Sequence, residues 1–222
     1  MSKTRLMRNI LKVTATLLIA VVAISVQAQD AKAKAILDEL SDKTRKYPTI
    51  TSEFTFTLED KAADVNQEQK GSLKMKGKKY NIILGDNHIF SDGDTRWTYS
   101  EEMNEVYIDF TDTGDEVLNP SDVYTIWESG FKQYYKAEET IDGRETHIIK
   151  LVPVDAEDKD YHTILVYIDK SKMEVNRIEI KGKQGVDYTY AVQSFKTDAD
   201  YSDATFVFDP TDYPGVDEID NR

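Results

Sequence analysis

The chain of 222 residues carries 28 Lys and Arg against 41 Asp and Glu, a formal charge of −13, and no cysteine. Such an anionic surface repels nucleic acid and anionic membrane, both of which favour basic partners. The missing thiols exclude disulfides, thiolate metal sites and a cysteine nucleophile.

Residues 1–28 read as a cleaved secretory signal peptide. Lys3, Arg5, Arg8 and Lys12 form a positive start, Val13 to Val26 is an apolar run, and Val26-Gln27-Ala28 offers the small residues a signal peptidase reads. The run is short for a membrane span, which leaves an uncleaved anchor as the weaker alternative. Cleavage takes four basic residues away, so 24 Lys and Arg then face 41 Asp and Glu, a net charge of about −17. Residues 29–222 are expected to form one soluble domain.

The first element after the signal is a helix over Asp30–Lys46, where Ala33, Ile36, Leu37 and Leu40 recur at helical spacing and Pro48 enforces a stop. The period then changes. Ile50, Ser52, Phe54, Phe56 and Leu58 alternate with Thr and Glu, which predicts a strand with one apolar face. Glu59–Lys70 reads as a polar connection. Short strands are predicted at Gly71–Lys76, Lys79–Leu84, His88–Phe90, Thr95–Ser100 and Glu105–Phe110. Within this run, Asp92-Gly93 signals a two-residue hairpin of type I′, which needs positive φ at both positions.

Asn119-Pro120 opens a second helix, with Val123, Ile126, Trp127 and Phe131 on its apolar stripe, stopping near Gly130. Strands follow at Lys132–Thr140, Glu145–Val152, Tyr161–Asp169, Met173–Lys181, Asp187–Thr197 and Thr205–Asp209, the first two joined by a second Asp-Gly hairpin at Asp142-Gly143. An acidic tail, Asp217 to Arg222, reads as loose. The fold class is therefore α+β and mainly β: an antiparallel meander of about eleven strands that must curl or be covered on its apolar face. Two amphipathic helices cover such a sheet without filling it, and a ligand hollow and a packed core stand as equal readings of that space.

Nothing points to catalysis, a metal or a cofactor. His88, His147 and His162 stand singly in strand patterns, and no Gly-x-Ser-x-Gly elbow accompanies them. Asp155, Glu157, Asp158 and Asp160 lack the register of an EF-hand loop and read as a solvated acidic loop.

Ser91-Asp92-Gly93 followed by Trp97 and Tyr99 resembles the LolA family, periplasmic carriers of outer-membrane lipoproteins. Gly71-Ser72-Leu73-Lys74-Met75-Lys76, the helix opened by Asn119-Pro120, Tyr190 to Lys196 and Thr205-Phe206-Val207-Phe208-Asp209-Pro210 occur in the family's order. The resemblance spans Ala31 to about Pro210. It implies a periplasmic monomer with a curled half-barrel and helical lid, whose apolar hollow takes up lipoprotein acyl chains. It also implies an inner-membrane ABC complex as donor and an outer-membrane acceptor. On this reading Phe54, Phe56, Leu58, Leu73, Met75, Tyr80, Trp97, Tyr99, Val106 and Ile108 line the hollow, and Ile36, Leu40, Val123, Ile126 and Trp127 form the lid. Family members close the lid with an Arg of an Arg-Pro pair shortly before a Phe. Here the stretch reads Met75-Lys76-Gly77-Lys78-Lys79-Tyr80, so Tyr80 stands at the Phe position. Lys76 or Lys78 is the cation left for the Arg role, without its bidentate fork. A sensor or regulatory module on the same half-barrel is the alternative function.

Overall fold

The structure is a computed structural model that describes residues 30–111, 124, 126–157 and 159–222. Its described residues build one helix, α1 (30–44), and one sheet of twelve strands. In chain order these are β1 (Ile50–Asp60), β2 (Val65–Lys76), β3 (Lys79–Leu84), β4 (Asn87–Ser91), β5 (Thr95–Ser100) and β6 (Glu105–Phe110). After these come β7 (Phe131–Ile141), β8 (Arg144–Pro153), β9 (Tyr161–Asp169), β10 (Glu174–Gly182), β11 (Val186–Thr197) and β12 (Asp217–Asp220).

The spatial order is β12-β6-β5-β4-β3-β2-β1-β11-β10-β9-β8-β7, so two meanders meet where β1 pairs with β11 and the sheet stays open. Every neighbouring pair is antiparallel except β12, which lies parallel to β6. This is the mainly β meander that the alternation predicts and the open half-barrel that the resemblance implies.

One face of the sheet carries the main core. Leu37 and Leu40 of α1 pack there with Phe54, Leu73 and Ile82 from one meander and Ile149, Val166 and Ile178 from the other. Leu37, Ile82, Ile149, Val166 and Ile178 are each 1% exposed or less. One helix touching both meanders requires the sheet to curl around it. Two polar clamps hold α1 in place: Trp127 donates from Nε1 to Ser41 Oγ at 2.8 Å, and Arg45 pairs with Glu128 at 2.9 Å.

The C-terminal residues 198–222 run as a strap over the outer face. Tyr201 and Thr51 hydroxyls meet at 2.7 Å, Asn81 Nδ2 donates to the Thr205 carbonyl, and Asp203 pairs with Lys76 and Lys79 at 3.0 and 2.8 Å. Phe208 and Tyr213 then stack at 4.5 Å over Tyr99 and Phe90.

Several expectations need correction. Glu59–Lys70 is not a loose connection: β1 and β2 stay paired out to Asp60 and Val65, because a backbone ladder needs no apolar side chains to continue. Thr205–Asp209 is no strand; a 3₁₀ turn at Asp203–Phe206 leads instead into an extended stretch that buries Phe206 and Phe208. The acidic tail is not loose either, since Asp217–Asp220 is ordered as β12 on the β6 edge.

The Asp92-Gly93 turn is longer than two residues. Between β4 and β5 lie Asp92, Gly93 and Asp94, and of these only Gly93 has positive φ, at 103°. The Asp92 carboxylate accepts from the amides of Asp94 and Thr95 at 2.9 and 2.8 Å, and Ser91 Oγ accepts from the Gly93 amide at 3.1 Å. These side-chain bonds substitute for the tight turn. Asp142-Gly143, with φ of 51° and 76°, does form the two-residue hairpin. The second helix, predicted over Asn119–Phe131, lies mostly outside the described residues; its described part is a 3₁₀ turn at Ile126–Glu128, and β7 already begins at Phe131.

Candidate functional site

The inner face is the one on which α1 packs. Register decides which residues reach it. Phe56 opposes Tyr190 and Leu58 opposes Tyr188, continuing to Ile178 and Ile180 on β10 and to Val166 and Ile164 on β9. On the other side Leu73 opposes Ile82, and Met75 opposes Tyr80. Of the predicted wall, Phe54, Leu73 and Tyr80 are buried in the main core, Phe56 and Met75 pack against it, and Leu58 shares their face. The predicted lid residues Ile36, Leu40 and Trp127 join the same cluster, and Ile126 packs on it; Val123 lies outside the described residues.

Trp97, Tyr99, Val106 and Ile108 are on the other face. Trp97 opposes Phe90, which packs under Phe208, whereas the inner-facing neighbours in β4 are Ile89 and Ser91. Tyr99, Val106 and Ile108 share the Trp97 face through the β5–β6 pairing, and Tyr99 meets Tyr213 at 4.4 Å. The pairing fixes this: Ser91 opposes Arg96 and Ile89 opposes Thr98, so the inward residues of β5 are Arg96, Thr98 and Ser100, and Trp97 and Tyr99 point outward. The strap then supplies these outward aromatics with a cover that alternation could not reveal.

Sequence reasoning placed no inward residues on the second meander, though it predicted its strands. Ile149, Leu151, Ile164, Ile178 and Ile180 are fully buried on the inner face. The signal was present in the unbroken apolar run Ile164–Ile168, which marks a strand buried on both sides. Lys76 does not take the family Arg's place at the lid. It donates to the Tyr201 carbonyl and to Asp203 on the outer face, opposite α1. Lys78 is exposed in the β2–β3 turn.

Titratable groups sit among the apolar residues inside. Tyr124 is buried, and that burial pushes its phenol up to about 12. His147 faces inward, 3.3 Å from the Tyr135 hydroxyl, and burial pushes its imidazole pKa down despite Glu138 at 3.5 Å. Its sheet partner Ile168 lies in the core, whereas His88 pairs with Glu101 at the outer side of β4 and contacts Tyr99. Among the described residues no group of three or more His, Asp or Glu is placed to hold a metal. No described helix is long and apolar enough to cross a membrane.

The family model described as outer membrane lipoprotein carrier protein LolA matches residues 45–209, most of the chain. The protein belongs to the LolA family. No curated protein matches it by sequence. Among solved structures, an uncharacterized conserved protein from Thermus thermophilus aligns with a TM-score of 0.59 at 11% identity, over 86% of this chain and 99% of that one. LprF from Mycobacterium bovis aligns at 0.49 and 10% identity, covering 78% and 96%, and a LolA superfamily protein from Nitrosomonas europaea at 0.44 and 12%, covering 79% and 97%. At these identities the first likeness speaks for the fold alone. Within the LolA fold, this chain's described inner face is a curved apolar sheet with a helix clamped across it.

Proposed function

We propose that this protein is a soluble periplasmic carrier that takes up the acyl chains of lipoproteins between its sheet and α1. On this reading it shuttles them from an inner-membrane ABC complex to an outer-membrane acceptor. The observation that carries the reading is the apolar inner face running without interruption from β8 through β11 and β1 to β3, in a chain of the LolA family. Each methylene left in water costs ~0.8 kcal/mol, so an acyl chain of ~15 methylenes costs ~12 kcal/mol to carry bare across an aqueous space. A wall of Leu, Ile, Met and Tyr offsets that cost by burial and, lacking directional bonds, lets the cargo leave again. The work is transport and needs no catalytic group. The residues engaged are Phe54, Phe56, Leu58, Leu73, Met75 and Tyr80 on the sheet, with Ile36, Leu40, Ile126 and Trp127 facing them.

The test is release of lipoprotein from membranes bearing the ABC complex and ATP. Lipoprotein recovered in the soluble fraction with this protein is the expected result. If none is released and no lipid copurifies, the carrier reading fails. Capture of a membrane-bound regulator without any lipoprotein release would favour the sensor function instead.

A further inference from the structure

Between the start of β9 and the β10–β11 turn lies a cavity of about 180 Å³, lined by Asp160, Tyr161, Gly182, Gln184, Val186 and Tyr188. Two of these residues tie it to the apolar inner face. Tyr188 stacks on Phe56 with ring centroids 6.0 Å apart, and Tyr161 stacks on Phe131 at 6.5 Å. The cavity's charge is of one sign. No Lys or Arg is among its lining residues, and the Asp160 carboxylate has no ion pair or hydrogen bond among the described residues. Lys183, next to Gly182, places its ammonium on the carbonyl oxygens of Ala156 and Glu157. An apolar wall ending in a pocket with one unopposed carboxylate fits an amphiphile whose polar end is a cation.

We propose that this cavity is the head-group site of the hollow: it receives an ammonium group on a short stem, attached to an acyl chain that lies along Phe56 and Leu58. This rests on the carrier reading and narrows its ligands to ammonium-bearing amphiphiles. Asp160 supplies the counter-charge and accepts from the ammonium N–H groups. The face of a tyrosine ring attracts the same charge. An oxyanion in this place would meet a carboxylate and no cation. Because Asp160 is exposed, water keeps the contact modest, which suits a cargo that must leave again.

The test is calorimetric titration of the purified protein with three palmitoyl lysophospholipids, kept below micelle-forming concentrations, that carry ethanolamine, choline or glycerol heads. The wild type should bind the ethanolamine lipid about fivefold more tightly than the glycerol lipid. The choline lipid has the charge without N–H donors. Choline equal to ethanolamine assigns the site to charge and ring; choline close to glycerol assigns it to the hydrogen bond with Asp160. Asp160→Asn should erase the preference, whereas Asp155→Asn, which removes the same charge elsewhere in the loop, should keep it. Thermal unfolding confirms that both variants fold. Equal affinities for ethanolamine and glycerol heads in the wild type overturn the head-group site and leave the hollow standing. So does a preference that survives Asp160→Asn, or one lost as fully in Asp155→Asn. Failure of all three lipids to bind overturns the hollow and the head-group site together.

Discussion

At the scale of single residues, function depends on a few close approaches. Phe54 lies over Gly71, its directly paired neighbour; a Cβ at position 71 would stand 2.4 Å from Phe54 Cζ. Gly71→Ala therefore forces a buried ring off its place and should cost about 1–3 kcal/mol of unfolding free energy, read by urea denaturation. A change within experimental error would show that the ring has room to turn. Asp92 argues differently, through hydrogen bonds. Its carboxylate accepts two turn amides, so Asp92→Ala should cost about 1 kcal/mol while Asp92→Asn, which keeps an acceptor oxygen, stays near wild type. Equal losses in both would assign the effect to charge. Ser41 and Trp127 form a third case. Ser41→Ala leaves a buried indole N–H without its acceptor and should cost about 1–3 kcal/mol by the same measurement.

At the scale of elements, the strap is the least expected piece. It converts outward aromatics of β4 and β5 into a second core and ends by lengthening the sheet with β12. Its middle is held electrostatically. The ammonium groups of Lys79 and Lys76 hold the Asp203 carboxyl below its ordinary range. At the opposite end of the sheet, Asp169 is pushed up by burial but drawn further down by hydrogen bonds from Ser171 and the Lys172 amide. A carboxyl with a depressed folded pKa stabilises the fold above its unfolded value, and that contribution disappears as pH falls through the folded value. Acidification below about pH 4 should therefore loosen the strap, and lower amide protection in β12, measured against the intrinsic exchange rate at each pH, would report it. In Asp203→Asn the exchange should already be faster at neutral pH. Protection that is flat with pH in the wild type would remove Asp203 from the strap's anchoring.

At the scale of the whole molecule, charge and topology set the behaviour. With a net charge of −13, the compact state repels itself. Raising ionic strength from ~0.01 to ~0.15 M shortens the screening length from ~30 to ~8 Å, and should raise the unfolding temperature. A lower midpoint at the higher salt would show that attractive pairs such as Arg45–Glu128 outweigh the repulsion. The pairing of β1 with β11 joins Ile50 to Thr197, so the sheet's centre closes only after nearly the whole chain is in place.

The α1 stripe, the strands of both meanders and the Asp142-Gly143 hairpin were legible because each depends on neighbours within a few residues. So were Phe54, Leu73 and Tyr80 as inward residues, since each belongs to an unbroken alternation or a short hairpin. The facing of Trp97 and Tyr99 was not legible. It turns on the register carried from β3 through β4, and on a cover contributed by Phe208 and Tyr213 from more than a hundred residues downstream. Local periodicity thus determined most of the strands, though not β12 or the 3₁₀ turn at Asp203–Phe206, and that one face must be buried. Only the tertiary structure decided which face that is, because burial is assigned by whatever packs against it: α1 on one side, the strap on the other. The buried Arg96 on the inner face follows from the same choice.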